Sequence, residues 1–319
     1  MHLLITGATG FVGTHLRRYL LEKTDWQITG TAFPDRPPAS CNPRERCVEA
    51  DLCERSTVFD LLEETHPDAI IHLAAQSHVP TAYKDPWKTL RNNILGQVNL
   101  LESCLSLEMK PRFLVIGSGE EYGRTSAEAL PLCEEHPLRP ENPYSVSKVT
   151  QDVLGYQYFI SYGIPVIRVR PFNHVGPGQS PRFVLAAFAS QVARIESGKQ
   201  ENTLRVGNLE PARDFTDVRD VVRAYHLALT QGTPGEVYNV SSSTARTIKS
   251  LVNRLLEISE VPISLEIDPE RYRPTDVPII YGSAEKLRRA TGWEPQIPFE
   301  TTIQDVLEEW RRKVREEEE

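Results

Sequence analysis

The glycine-rich segment at residues 7–13, GATGFVG, constrains the fold more than any other part of the sequence. It follows the short apolar stretch HLLIT, which is typical of a buried strand, and leads into the amphipathic stretch FVGTHLRRYLLEK, which has the apolar spacing of a helix. Gly7 permits a tight turn, Gly10 lets the backbone approach a ligand, and Gly13 lets the helix pack closely on a sheet. Free amides at the helix start suit a phosphate. This context predicts a site for the pyrophosphate of a dinucleotide.

Short apolar runs alternate with helical segments through the first half of the chain. After the glycine segment, the predicted strands are QITGTAF, AIIHLAA, RFLVIGS and PVIRVRP, and the predicted helices are STVFDLLEETH, residues 86–108 and residues 143–161. Strands that alternate with helices form a parallel sheet with helices on both faces. We therefore predict an α/β fold of the Rossmann type, with a doubly wound parallel sheet.

The alternation loosens after about residue 172. EVYNVSS reads as one more strand of the large sheet, whereas FVLAAFASQVARIES and TIKSLVNRLLEIS read as helices and ISLEID as a short strand. We expect an NAD(P)-binding Rossmann domain at residues 1–172, to which residues 213–242 return. Residues 173–212 and 243–319 are expected to form a smaller α/β C-terminal lobe that binds the substrate.

Composition excludes several classes of protein. The 319 residues carry a net charge of −8, and no cluster of lysine and arginine favours nucleic acid as a partner. No apolar run is long enough to span a membrane. The five cysteines include no CxxC pair and no zinc spacing with histidine, so we expect reduced thiols, no metal site and a cytoplasmic location.

Tyr144 and Lys148 lie four residues apart in NPYSVSK, a spacing that puts both on one face of a helix. A phenol with a pKa of about 10 carries protons poorly at neutral pH. A nearby ammonium favours the phenolate and lowers that pKa. We expect Tyr144 to exchange a proton with a substrate oxygen, and Lys148 to tune Tyr144 and hold a nicotinamide ribose. Ser118, at the end of the strand RFLVIGS, is expected to orient the same substrate oxygen.

These motifs together resemble the extended short-chain dehydrogenase/reductases, also called the NAD-dependent epimerase/dehydratase family, which act largely on nucleotide sugars. The resemblance covers nearly the whole chain, from the GxxGxxG spacing to YxxxK and beyond. It implies NADP(H) or NAD(H) as cofactor. The residues implied to bind it are Gly7, Thr9, Gly10, Phe11, Val12, Gly13, Asp51, Leu52, Leu73, Ala74, Ala75, Asn93, Tyr144 and Lys148.

The end of the second strand bears on the choice between the two cofactors. An acid there would bind the adenosine ribose and favour NAD(H). The strand ends at Phe33, and the first acid, Asp35, is followed by Arg36, which can pair with a 2′-phosphate. The sequence therefore favours NADP(H) and leaves NAD(H) open.

Three later segments resemble enzymes that act on GDP-sugars, namely VARIESG, GNLEPARDFTDVRD and RPTDV. The resemblance implies that Asn173, Arg182, Arg213 and Arg273 bind the substrate, because the planar guanidinium fork pairs well with phosphate oxygens. Ser118 and Glu120 are implied to contact the sugar. No residue is assigned to the guanine base.

Glu120, in GSGEEYG, separates two possible activities. In the dehydratases of this family a glutamate at this position removes a proton from carbon, within Thr-Asp-Glu or Thr-Ser-Glu, whereas this chain has Ser118-Gly119-Glu120. The loop NHVGPGQ resembles the reductases instead, since the dehydratase tends to read NHESPRRG. Glu121 is expected to be solvated or to line a wall.

The first expectation is therefore NAD(P)H-dependent reduction of the C4 keto group of GDP-4-dehydro-6-deoxy-D-mannose to GDP-D-rhamnose. GDP-mannose 4,6-dehydration with Glu120 as base is the alternative, and a nucleotide-sugar 4-epimerase is a weaker one. A binding protein that has lost activity stays open as a different class. Helices 86–108 and 143–161 resemble those that form a four-helix bundle across a twofold axis, so we expect a homodimer.

Overall fold

The computed structural model describes residues 1–32, 42–269 and 277–317. Its strands are β1 (His2–Thr6), β2 (Gln27–Ala32), β3 (Glu45–Glu49), β4 (Ala69–His72), β5 (Arg112–Ile116), β6 (Val166–Pro171), β7 (Asn173–Val175), β8 (Thr203–Val206), β9 (Ala212–Asp217), β10 (Val237–Val240), β11 (Ala245–Thr247), β12 (Ser264–Ile267) and β13 (Ile279–Ile280).

The helices follow the same chain order. They are α1 (Phe11–Lys23), α2 (Arg55–Thr65), α3 (Val79–Lys84), α4 (Pro86–Leu90), α5 (Gly96–Ser106), α6 (Pro143–Tyr162), α7 (Val184–Glu196), α8 (Val218–Gln231), α9 (Ile248–Glu257), α10 (Glu285–Thr291) and α11 (Phe299–Glu316). A π-helical turn spans Arg91–Leu95, and 3₁₀ turns span Gly119–Tyr122 and Ala127–Ala129.

Seven parallel strands form the large sheet in the order β3-β2-β1-β4-β5-β6-β10. The order reverses at β1, so the connections run outward in both directions and place helices on both faces. The predicted doubly wound fold of the Rossmann type is confirmed. The strand predicted from EVYNVSS is β10, which returns to pair with β6.

Alternate residues of the strands divide between two hydrophobic cores. Leu3 and Ile5 of β1 pack into a core with α1 and α8, whereas Leu4 packs on the opposite face with α2, α5 and Tyr158 of α6. A strand buried on both faces explains why HLLIT shows no polar alternation.

A third core lies among α7, α9 and α11 and includes Val192, Leu251 and Val306. The small sheet beside it has β9 at its centre, paired with β7, β11 and β13, and a separate parallel pair joins β8 to β12. Since β7 begins just after β6 ends, the small sheet lies at the carboxyl edge of the large one, where ligands bind in folds of this class.

The segment predicted as one helix at residues 86–108 is α4, a π-helical turn and α5 in succession. Asn93 lies in the π-helical turn, and its side chain is fully buried. A π-helical turn adds one residue to the hydrogen-bonded loop and is common near functional sites. The other predicted helix is confirmed as α6, which begins at Pro143 after a capping box between Asn142 and Ser145.

No helix within the three described ranges is long and apolar enough to cross a membrane.

The close packing of α1 on the glycine loop generates a stability prediction. A Cβ at Gly13 would lie 2.7 Å from Ala8 Cα, which belongs to the backbone and cannot move aside cheaply. We expect Gly13→Ala to lower the free energy of unfolding by about 1–3 kcal/mol, the usual cost of overpacking. Denaturant unfolding followed by circular dichroism measures the change.

Gly96→Ala is the matched control, because Gly96 is also helical but its nearest neighbour is the Leu52 side chain, at 3.3 Å. This change should stay within about 1 kcal/mol, since alanine favours a helix over glycine by a similar amount. Equal losses in the two variants would contradict the proposed role of the close backbone approach.

Candidate active site

A cavity of about 320 Å³ opens at the carboxyl edge of the large sheet. The glycine loop, the segment after β4, the end of β5, the start of α6 and β7 enclose it. It brings together most of the residues predicted to act, namely Gly7, Gly10, Phe11, Val12, Gly13, Leu73, Ala75, Ser118, Glu120, Tyr144, Lys148 and Asn173.

The glycine loop has the shape that a dinucleotide pyrophosphate requires. Gly7 has a φ of +69°, and a Cβ there would lie 2.9 Å from Ala74. Helix α1 begins after Gly10 with no side-chain cap and no acid in its first turn. Its first amides therefore remain available to phosphate oxygens, and the helix dipole favours negative charge there. The residues present fit the implied cofactor.

Several predicted cofactor residues lie outside the cavity. Thr9 lines an adjoining groove. Asp51 accepts the backbone N–H of Cys53 (2.9 Å), and the carbonyl of Leu52 accepts from Asn99. Ala74 donates its backbone N–H to Thr6. Arg36 lies outside the described residues.

Asn93 is also absent from the cavity wall, because its amide is fully used inside the protein. Its Nδ2 donates to the carbonyl of Gln76 (3.1 Å) and to Ser147 Oγ (2.8 Å), and its Oδ1 accepts the N–H of Gln76. The prediction that Asn93 touches the cofactor is not supported by this geometry. Asn93 instead ties the segment after β4 to α6.

The predicted substrate arginines are not gathered in the cavity either. Arg182 is exposed in the loop before α7. Arg213 donates to the carbonyl groups of Ala212 (2.9 Å) and Val277 (2.6 Å) on the small sheet. Arg273 lies outside the described residues. Asn173, which was predicted to bind the substrate together with these arginines, does line the cavity.

The pKa values of Lys148 and Tyr144 are set mainly by burial and not by the attraction between the two side chains that their spacing suggested. Lys148 is buried and donates from Nζ to the carbonyl of Ile116 (2.8 Å). Burial lowers its pKa to about 8. Burial also raises the pKa of Tyr144, against a lowering by its hydrogen bond with Ser118, while Glu120 and Glu121 raise it further. The expected lowering of the Tyr144 pKa is wrong, because desolvation of the phenolate outweighs the other effects.

Ser118 is held at the N-cap of the 3₁₀ turn that follows β5. Its Oγ accepts the N–H of Glu120 (3.1 Å), and its own N–H donates to Oε1 of Glu121 (2.6 Å). Besides this accepted hydrogen bond, the Ser118 side chain shares a hydrogen bond with Tyr144, so the two hydroxyls lie side by side in the cavity.

The two glutamates beside Ser118 have different surroundings. Glu120 is half-buried at the cavity wall, where Asn142 Nδ2 donates to its Oε2 over 3.4 Å. Glu121 is fully buried, so the prediction that it is solvated or lines a wall is wrong. Gly119 lies against the ring of Phe172, whose Cδ1 would be 2.8 Å from an added Cβ. The ring fills the place that a polar side chain at residue 119 would need.

Further residues complete the wall and were not singled out from the sequence. His78, His174, Gln179, Phe183 and Phe215 line the cavity. The loop NHVGPGQ contains His174, and the predicted cofactor residues Leu73, Ala74 and Ala75 shortly precede His78, but Phe183 and Phe215 carry no local signal. No cluster of three metal-ligating side chains occurs in the described parts of the chain.

A parallel sheet with a glycine loop at its edge, and a serine, a tyrosine and a lysine in the adjoining cavity, define an enzyme of the nicotinamide-dependent short-chain dehydrogenase/reductase class. Residues 4–306 match the family described as GDP-mannose 4,6 dehydratase. The chain belongs to that family.

Individual relatives narrow the comparison. The chain is 40% identical to the GDP-6-deoxy-D-mannose reductase of Pseudomonas aeruginosa, over 99% of both chains. It is 29% identical to the GDP-mannose 4,6-dehydratase of Yersinia enterocolitica, over 95% of this chain and 92% of the relative.

Solved structures with similar folds also include enzymes bound to a nicotinamide cofactor. RMD from Pseudomonas aeruginosa, complexed with NADPH, is similar with a TM-score of 0.88 and 39% identity, over 98% of this chain and all of that one. The UDP-glucose 4-epimerase of Thermus thermophilus, in complex with NAD, has a TM-score of 0.85 and 27% identity, over 98% and 99% of the two chains. The predictions of the family, of a nucleotide-sugar enzyme and of NADP(H) or NAD(H) as cofactor are confirmed.

The pKa of Lys148 generates a prediction about cofactor binding. Below a pH of about 8 the ammonium is charged and can hold the cofactor, and above it the charge is lost. We expect the dissociation constant of NADPH to rise as the pH increases through 8, by up to about tenfold per pH unit. Fluorescence titration between pH 7 and pH 9.5 measures it.

Lys148→Met should bind NADPH more weakly at pH 7 and should show a flatter dependence on pH. A wild-type protein and a variant with parallel pH profiles would contradict a role for the Lys148 charge in binding.

Proposed function

We propose that this protein reduces the C4 keto group of GDP-4-dehydro-6-deoxy-D-mannose to give GDP-D-rhamnose, with NADPH preferred over NADH. The observation that carries the proposal is the shared cavity of Ser118, Tyr144 and Lys148 next to the glycine loop. The similarity over 99% of both chains to a GDP-6-deoxy-D-mannose reductase supports the choice of substrate. The solved relative complexed with NADPH supports the choice of cofactor.

The chain's own residues supply the proton and the electrostatic stabilisation that reduction requires. The bound cofactor supplies the hydride that adds to the carbonyl carbon. Ser118 donates a hydrogen bond to the carbonyl oxygen, where negative charge develops. Tyr144 donates its phenolic proton to the same oxygen, which completes the alcohol, and regains a proton from solvent.

The electrostatics of Tyr144 suit this direction of reaction. Because burial raises its pKa, the phenol keeps its proton at neutral pH and is ready to donate it. The positive charge of the buried Lys148 ammonium then stabilises the phenolate that remains after proton transfer. The protonated Tyr144 is therefore the species that a reductase needs.

We assign the nucleotide sugar to the lobe formed by residues 173–212 and 243–319. Phe183 and Val184, at the start of α7, contribute to the cavity wall. Arg213 follows the predicted boundary of this lobe by one residue and lies on β9 of the small sheet, and its guanidinium is suited to a diphosphate.

A 4,6-dehydratase is the second candidate, and Glu120 favours it. Its carboxylate lines the cavity near Ser118 and accepts a hydrogen bond from Asn142 Nδ2 over the long distance of 3.4 Å. A carboxylate held this loosely could turn toward a substrate carbon. Against it, Gly119 and Phe172 leave no polar group between Ser118 and Glu120.

Product analysis separates the two activities. We expect NADPH to be consumed when GDP-4-dehydro-6-deoxy-D-mannose is supplied, with GDP-D-rhamnose as the product by mass spectrometry and NMR. GDP-mannose alone should remain unchanged. Formation of a keto-sugar from GDP-mannose without net NADPH consumption would instead establish the dehydratase.

Tyr144→Phe should lower kcat by about 10²–10⁴-fold, since proton donation is lost. Tyr158→Phe is its matched control, because it removes a hydroxyl from the same helix, at a site where Tyr158 donates to Glu102 outside the cavity. Equal activities in the two variants would argue against Tyr144 as proton donor.

We also propose a homodimer through the exposed apolar faces of α4 and α6. Trp87, Val153, Tyr156 and Ile160 are large apolar residues with high exposure, 79% for Trp87 and 62% for Ile160. The last three recur at helical spacing on α6, so they form one face. An exposed apolar face of this kind marks an interaction surface.

Ile160→Glu should shift the protein from dimer to monomer in analytical ultracentrifugation at micromolar concentration, because the charge would be desolvated at the interface. Ile267→Glu is the matched control, since Ile267 is 61% exposed but lies on β12. If both variants, or neither, dissociate, this α6 surface is not the dimer interface.

We place the protein in the cytoplasm. The four described cysteines, Cys47, Cys53, Cys104 and Cys133, form no disulfide, which supports a reducing compartment.

A further inference from the structure

Glu121 is a buried carboxylate that the proposed mechanism does not use. It follows the cavity-lining Glu120, yet its side chain is fully buried beneath the end of β5. Burying a charged group costs several kcal/mol unless it is paired or hydrogen-bonded, so its partners identify what it stabilises.

The carboxylate lies directly against the backbone of residues 116–118. Its Oε1 accepts the N–H of Ser118 at 2.6 Å. A Cβ at Gly117 would collide with the same oxygen, so the absence of a side chain there is what lets the carboxylate approach. Gly117 is also held from the other side, because its N–H donates to the carbonyl of Val169 at 2.7 Å.

Lys148 holds the other end of the same three-residue segment. Its Nζ donates to the carbonyl of Ile116 at 2.8 Å. An ammonium on Ile116 and a carboxylate on Ser118 thus fix two successive peptide groups on either side of Gly117. We call this arrangement of Lys148, Glu121 and residues 116–118 the strand-end clamp.

Glu121 is in turn tied to a buried ionic group on β6 and α6. Its Oε2 lies 3.2 Å from Arg170 Nε, and the same nitrogen donates to Asp152 Oδ2 at 2.8 Å. Arg170 also donates to Tyr122 Oη (3.1 Å). Burial raises the pKa of Glu121 and Asp152 raises it further, whereas Arg170, the Ser118 N–H and Lys148 act in the opposite direction and favour the carboxylate. The clamp is therefore anchored in the protein core.

We propose that Glu121 is a positioning residue that acts through Ser118. By fixing the Ser118 backbone, it keeps the serine hydroxyl in the cavity beside Tyr144. Glu121 does not line the cavity and has no contact of its own with the sugar. This role rests on the proposed function, because it requires Ser118 to contact the reacting oxygen.

Glu121→Gln is the sharpest single change. The amide oxygen can accept the Ser118 N–H, but a neutral NH₂ group then replaces the oxygen that lies 3.2 Å from Arg170 Nε, so the ionic attraction to the guanidinium is lost. The flipped amide turns the NH₂ group toward Ser118 instead. One of the two contacts is lost either way. We expect kcat for the keto-sugar to fall by about 10- to 100-fold, as a small misplacement of a reacting group does, with both KM values changed less than about threefold.

A double-mutant cycle tests whether the effect passes through Ser118. In a Ser118→Ala background, Glu121→Gln should lower kcat by less than about twofold more, because the group that it positions is gone. Gly117→Ala should reproduce the Glu121→Gln pattern, since its Cβ displaces the carboxylate. Full additivity of Ser118→Ala and Glu121→Gln would overturn the proposal.

Glu134→Gln is the matched control. Glu134 is a half-buried glutamate that also accepts a backbone N–H, from Asn239 at 2.7 Å, but it does not touch Ser118. It should leave kcat within about twofold of the wild type. A loss of kcat as large as that of Glu121→Gln would overturn the proposal, since any buried glutamate would then have the same effect.

Amide hydrogen exchange gives a readout that does not depend on turnover. In Glu121→Gln, exchange at the Ser118 amide should accelerate by about tenfold or more, whereas Glu134→Gln should leave it unchanged. Unchanged exchange in Glu121→Gln would overturn the clamp. If exchange accelerates but the wild type reduces no GDP-keto-sugar, the clamp stands and the proposed function fails, so the two failures are distinguishable.

Discussion

The site depends on the close approach of backbone to backbone at the carboxyl edge of the large sheet. Helix α1 can begin directly on the turn after β1 because Gly13 has no side chain to separate it from Ala8. The first amides of α1 have no side-chain cap, and they lie at the sheet edge where Ser118 also lies. The packing of α1 on this turn therefore puts the anion-binding helix start at the same edge of the parallel sheet as the end of β5, within a single cavity.

Burial dominates the electrostatics of that cavity. It raises the pKa of Tyr144 and Glu121 and lowers that of Lys148, so each buried group is pushed toward its neutral form. A tyrosine that retains its proton is suited to donate one to a developing alkoxide. Lys148 and Glu121 nonetheless keep polar contacts with the backbone of residues 116–118, which offset part of the cost of their burial.

The sequence predicted what depends on short-range pattern. The strand–glycine–helix order identified the ligand loop, and the four-residue spacing of Tyr144 and Lys148 placed both on α6. Local sequence patterns did not reveal contacts between residues that are far apart in the chain. The burial of Glu121 depends on Arg170, far along the chain, and the pKa direction of Tyr144 depends on how completely the fold covers it. Asn93 was recognised as important, but the π-helical turn that directs its amide to Gln76 and Ser147 has no local signature.

The ring of Phe172 has a consequence for how activities can diverge in such a chain. It packs against Gly119 beside the catalytic serine and also against Gly282, so an added Cβ at either glycine meets the same ring. A larger residue at position 119 and a phenylalanine at position 172 thus exclude each other sterically. A change that introduces a polar residue between Ser118 and Glu120 therefore requires a smaller side chain at position 172 as well. We therefore expect the effects of substitutions at positions 119 and 172 to depend on each other, because a larger residue at position 119 alone collides with the ring.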